Sequence, residues 1–138
     1  MPRTPQSQWG HLFNFAGGGL IHMELFALAM ATTQGIKAQD QPTAATWTEL
    51  YEAPAATTLT NAVILCANLG PDIDLLSIAM SQAGAAQADD QIIYPAVPIN
   101  PSDCFATIDN IRLAAGGKIY VKSLNGTTVF TLFGDEAT

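Results

Sequence analysis

The run KIYVKSLNGTTVFTLF, residues 118–133, decides the fold class. Two alternating segments, Lys118 to Leu124 and Thr127 to Phe133, flank Asn125-Gly126, the pair favoured in two-residue type I′ hairpins because both central positions need positive φ. Counting outward from that turn pairs Leu124 with Thr127, Val121 with Phe130 and Ile119 with Leu132. In this register Ile119, Val121, Phe130 and Leu132 share a face fit for a core, while Tyr120, Lys122, Val129 and Thr131 share a more solvated one.

Working back from this hairpin, short apolar runs bounded by turn residues continue to residue 47. Trp47–Glu52 ends at Ala53-Pro54; Leu59–Asn68 is long and almost wholly apolar, and Leu69-Gly70-Pro71-Asp72 closes it with a turn. Ile73–Met80 reads as a strand, then a polar loop runs from Ser81 to Asp90. Gln91–Ile99 carries Pro95 and Pro98, which confine it to an edge or a bulge. After the turn Asn100-Pro101-Ser102-Asp103 come Cys104–Asp109 and Ile111–Leu113, and Gly116-Gly117 turns the chain into residue 118. Strands at this spacing predict an all-β domain over 43–138, an antiparallel β-sandwich of jelly-roll-like or Greek-key form.

Residues 1–42 have a different texture and are expected to form an N-terminal arm. Trp9, Leu12, Phe13 and Phe15 precede Gly17-Gly18-Gly19, and LIHMELFALAM from Leu20 to Met30 predicts a short helix over about 20–31, apolar around most of its circumference. That run is shorter than the roughly 20 apolar residues of a membrane span and carries Glu24, so no membrane partner is expected. His22, Glu24 and the glycines also spoil a signal peptide. Translation starting at Met30, followed by the polar Ala31-Thr32-Thr33-Gln34, is a second reading of the start. The favoured reading is an arm that lays Trp9, Phe13, Phe15, Leu25 and Phe26 on a neighbouring subunit, because a small sandwich cannot cover them all.

Charge narrows the partners. In 138 residues, five Lys and Arg stand against twelve Asp and Glu, with no basic residue between Lys37 and Arg112. A phosphate backbone needs clustered cations, so direct nucleic-acid binding is not expected. Hydrophobic residues reach 49% and charged ones only 12%, a balance suited to a subunit that covers surface by assembly.

Catalytic chemistry has little to draw on. Both imidazoles, His11 and His22, lie in the arm, so a Ser-His-Asp arrangement in the sandwich is excluded. Asp72 with Asp74 and Asp89 with Asp90 could serve acid–base work or calcium, but both pairs sit beside turns, where Asp bonds its own backbone. Cys66 and Cys104 lie in apolar runs without a CxxC pattern and read as buried free thiols. Gly17-Gly18-Gly19 lacks the lysine of a phosphate loop. Trp47, Tyr51, Tyr94 and Tyr120 could form a sugar platform, although strands select aromatic side chains for packing alone. No catalytic residue, cofactor or metal site is expected.

The order of the blocks carries a resemblance. Leu50-Tyr51-Glu52-Ala53-Pro54-Ala55-Ala56-Thr57, then Ala62-Val63-Ile64-Leu65-Cys66-Ala67-Asn68, then Tyr94, then Ile111 to Val121 with Ala114-Ala115-Gly116-Gly117, then Val129-Phe130-Thr131-Leu132-Phe133-Gly134 resemble small virion structural proteins of tailed bacteriophages over about residues 43–136. Ala53 and Leu69 depart from that family's pattern, which has Val and Arg there. The resemblance implies a non-enzymatic β-sandwich located in the virion, contacting other capsid or tail subunits as a homo-oligomer, a trimer or hexamer. Decoration or cementing of the capsid through the arm is the leading expectation. A tail, neck or baseplate/fibre component, or a carbohydrate-binding host-adhesion module, is the alternative.

Overall fold

Alternation of inward apolar and outward side chains makes strands of most of the chain from Thr32 onward. The computed structural model describes residues 32–107 and 110–138. Within them run β1 (Thr32–Asp40), β2 (Thr48–Glu52), β3 (Thr58–Asn68), β4 (Asp74–Ser81), β5 (Ile92–Ile99), β6 (Cys104–Ala106), β7 (Ile111–Leu113), β8 (Lys118–Ser123) and β9 (Thr128–Ala137). A single turn of 3₁₀ helix, Asp89–Gln91, leads into β5. The expected all-β antiparallel sandwich is what these strands build: sheet I has the order β1-β9-β3-β6, with β7 also on β3, and sheet II the order β2-β8-β4-β5. Because β6 pairs with Leu65–Ala67 and β7 with Leu59 and Ala62, the two lie end to end along one edge of β3. Thr107 fills the gap between them, its hydroxyl accepting from the Ile64 amide at 3.0 Å and its amide donating to the Ile64 carbonyl at 3.1 Å.

Between the sheets lie Leu59, Ile64 and Cys66 of β3, Phe130 and Leu132 of β9, Leu76 and Ile78 of β4, and Ile119 and Val121 of β8, all fully buried. Removing one such side chain from water stabilises the fold by about 1.5–3 kcal/mol. The prolines of β5 act as expected: β5 is the edge of sheet II, with register shifts between Leu76 and Ala79 of its partner.

The hairpin expected over 118–133 is not there. β8 pairs with β2 and β4 in sheet II, whereas β9 pairs with β1 and β3 in sheet I, so Asn125-Gly126 carries the chain from one sheet to the other. Of this pair only Gly126 has positive φ, +74°, where a type I′ turn needs two such residues. Ile119, Val121, Phe130 and Leu132 are nevertheless all core residues, because they face one another across the sandwich.

The arm boundary also moves. The sequence places it at residue 42, yet β1 pairs with β9 from Thr32↔Ala137 to Asp40↔Phe130, so the sandwich begins at Thr32. Edge position explains the misreading: most of TTQGIKAQD is exposed and polar, and its backbone bonding carries no hydrophobic period. The predicted helix over 20–31 lies outside the described residues.

Candidate interaction face

Register assembles a surface on the outer side of sheet I. Cys66, Phe130 and Leu132 point inward, so the residues between them point out. Three rungs follow across the sheet: Ile36, Phe133 and Val63; then Gln39, Thr131, Leu65 and Ala106; then Val129, Ala67 and Cys104. None of these ten residues is charged. Ile36 is 60% exposed, Phe133 39% and Leu65 38%. Gln39 spans its rung by donating Nε2–H to the Thr131 hydroxyl at 2.9 Å, which ties the two polar side chains of that rung to each other. A polar row, Gln34, Asp135 and Thr60, closes one end, with Asn61 donating to the Asp135 carboxylate at 3.0 Å.

Sheet II presents the opposite character. Lys118 pairs with Glu49 at 2.9 Å, and Lys122 stands 5.0 Å from the centre of the Trp47 ring. Tyr120 lies opposite Glu49 and Ala79 on the same outer side. The outer side of sheet II thus carries charge along its strands, whereas on sheet I the charged side chains, Asp135 and the exposed Arg112 of β7, stand beside the ten-residue patch and not within it.

No family model, curated protein or solved structure matches this chain.

Of the predicted partner-binding residues, Trp9, Phe13, Phe15, Leu25 and Phe26 lie outside the described residues. The aromatics weighed as a sugar platform are dispersed. Tyr94 packs edge-on against Phe105 across the two sheets, ring centres 5.6 Å apart. Tyr51 is buried and donates its hydroxyl to Glu136, which Lys37 also approaches at 3.6 Å. Burial, then the hydrogen bond to Glu136 and the charge of that carboxylate, hold the Tyr51 phenol well above its usual range. These contacts tie β2 of sheet II to β9 and β1 of sheet I.

The carboxylate pairs separate as well. Asp89 and Asp90 are exposed at the 3₁₀ turn, and so is Asp72. Asp74 is fully buried at the end of the sandwich. It accepts from the hydroxyls of Ser123 and Thr128, from the amides of Asn125 at 2.8 Å and Leu75 at 2.9 Å, and from Thr127 Oγ1 at 3.3 Å. Burial alone would raise its pKa, but the Ser123 and Thr128 hydroxyls and the two amides outweigh it and hold the carboxyl below its ordinary value. Thr127 shares its single hydroxyl proton between Asp74 and the nearer Asn68 Oδ1 at 2.9 Å, and the Asn68 amide reaches the carbonyls of Asp72 at 2.8 Å and Ile99 at 3.0 Å. One buried polar network thus fastens the β3–β4 turn, the end of β5 and the β8–β9 crossover.

Both cysteines are free, and the expectation of two buried thiols holds for Cys66 only. Cys104 is exposed, because β6 is an edge strand and turns it onto the apolar face. Sequence reasoning missed that face. Its signal was nonetheless present: Leu59–Asn68 is apolar almost without interruption, and a strand apolar on both sides is a strand that expects cover on both sides.

Proposed function

We propose that this protein is a non-enzymatic structural subunit of a tailed-bacteriophage virion, a homo-oligomer whose work is contact area, decorating or cementing the capsid. The observation that carries this reading is the uncharged ten-residue patch on the outer side of sheet I, on a chain of net charge −7. An acidic protein that leaves ten neighbouring positions without a single charge exposes a surface suited to covering. We read the sandwich as a jelly roll. Counting β6 and β7 as one interrupted strand, the sheet orders become first-eighth-third-sixth and second-seventh-fourth-fifth, the alternation that wraps a chain back and forth between two sheets. The blocks that resemble virion proteins coincide with β2, β3, the β7–β8 turn and β9. In this reading the apolar arm joins the subunit to the capsid through Trp9, Phe13, Phe15, Leu25 and Phe26.

Incorporation into particles tests it. The sandwich has its own core from Thr32 onward, so a chain lacking residues 1–31 is expected to fold and to be missing from purified virions. The cut has to stop there, since removing Thr32 and beyond would strip β1 from β9. Normal incorporation of the shortened chain would overturn the role of the arm. A map of the intact particle separates capsid from tail, neck or baseplate. Saturable binding of a host glycan, lost on Tyr120→Ala, would point instead to adhesion.

A further inference from the structure

We infer that the outer face of sheet I is covered by the same face of a second copy of this chain, in a twofold pair. The inference deepens the reading above by assigning an occupant to this surface and leaving the arm for the other virion subunits. Charge argues for it first. Residues 1–31 contain one Arg (Arg3) and one Glu (Glu24), so they are neutral and the whole net charge of −7 falls on residues 32–138. Two acidic copies repel wherever their rims meet, and the contact with least Coulomb cost is the one where neither brings a charge. Rungs of Ile36, Phe133 and Val63, of Leu65 and Ala106, and of Val129, Ala67 and Cys104 are such a surface, and being uncharged it is complementary to itself.

Size argues second. Four strands about 4.8 Å apart and three rungs about 6.8 Å apart cover roughly 20 by 20 Å, so a face-to-face pair buries on the order of 800–1,000 Å² in total. That is below the roughly 1,200 Å² of a stable specific interface and predicts a weak pair, strengthened where many copies are held together. Symmetry adds a consequence. A pair made by one patch on itself is a C2 contact, which a cyclic trimer lacks and a dihedral hexamer contains, so the oligomer is even-numbered.

Cys104 lies within the face, and Cys66 is buried in the core, so native thiol labelling reports on this surface alone. In the full chain, labelling of Cys104 is expected to slow about fivefold or more from dilute to concentrated protein, in step with a rise in mass to an even-numbered species. Phe133→Lys and, independently, Leu65→Lys remove both effects, each checked for native circular dichroism. Leu124→Lys, an exposed apolar position at the sandwich end (46% exposed), leaves them intact. Labelling independent of concentration, or an unchanged mass in both face variants, overturns the inference. Protection of Cys104 seen only inside assembled particles also overturns it, assigning the face to another virion subunit while the proposed function stands.

Discussion

Asp74 is a carboxylate kept both dry and ionised, and its five donors explain how. Its folded pKa lies below the ordinary value, so its contribution is complete above the unfolded pKa of about 3.9 and is lost as pH falls through the folded value. The urea midpoint of the native protein is therefore expected to drop on acidification below about pH 4. Asp74→Asn should flatten that limb and cost about 2–4 kcal/mol at neutral pH, because an amide cannot accept at both positions that the hydroxyls and backbone amides address. Equal stability and an unchanged acid limb in the variant would rule out this role. At Cys66, another buried titratable site, desolvation pushes the thiol up to about 12. With Cys104 exposed, iodoacetamide at mild alkaline pH should modify Cys104 alone in the native state and both thiols in urea, which intact mass reads directly.

Crossovers rather than hairpins set the character of the individual elements. At the β8–β9 crossover Gly126 holds φ +74°, and a Cβ there would come within 2.9 Å of the Ala44 amide nitrogen. At Gly84, φ +77°, a Cβ would meet nothing within 4 Å. Gly84→Ala is thus expected to cost about 1 kcal/mol for its backbone conformation, and Gly126→Ala at least about 1 kcal/mol more, measured by chemical denaturation. The same crossover marks how far the sequence can be read. Where strands begin and end is legible from 47 onward, since alternation and turn residues are local signals. Which strands become neighbours is not, for an inward Val121 satisfies its burial equally well beside Phe130 in one sheet or opposite it in another. Edge strand β1 escaped for a related reason: its backbone is bonded, but its side chains have little to bury. Of the candidate face, the apolar continuity of β3 was visible, whereas the joining of Ile36, Leu65, Cys104 and Phe133 needed the register of four strands.

For the molecule as a whole, the two sheets are held by more than apolar contact. The Tyr51 hydroxyl on Glu136 and the Tyr94–Phe105 edge contact fasten sheet II to sheet I. Tyr51→Phe, which keeps the ring and removes the donor, should lower stability by about 1–2 kcal/mol while Lys37 continues to hold Glu136. An unchanged denaturation curve would show that the hydroxyl contributes nothing net. The uncharged ten-residue patch outside sheet I and the Lys118–Glu49 pair outside sheet II make the two outer sides chemically unlike. The pairing of Thr32 with Ala137 has a further meaning for biosynthesis. As the polypeptide leaves the ribosome, β1 must wait until nearly a hundred later residues have been made before its neighbour exists. Such high contact order delays the productive collapse and leaves sticky nascent segments unguarded meanwhile. Closing that longest loop is accordingly the step expected to set the pace of folding.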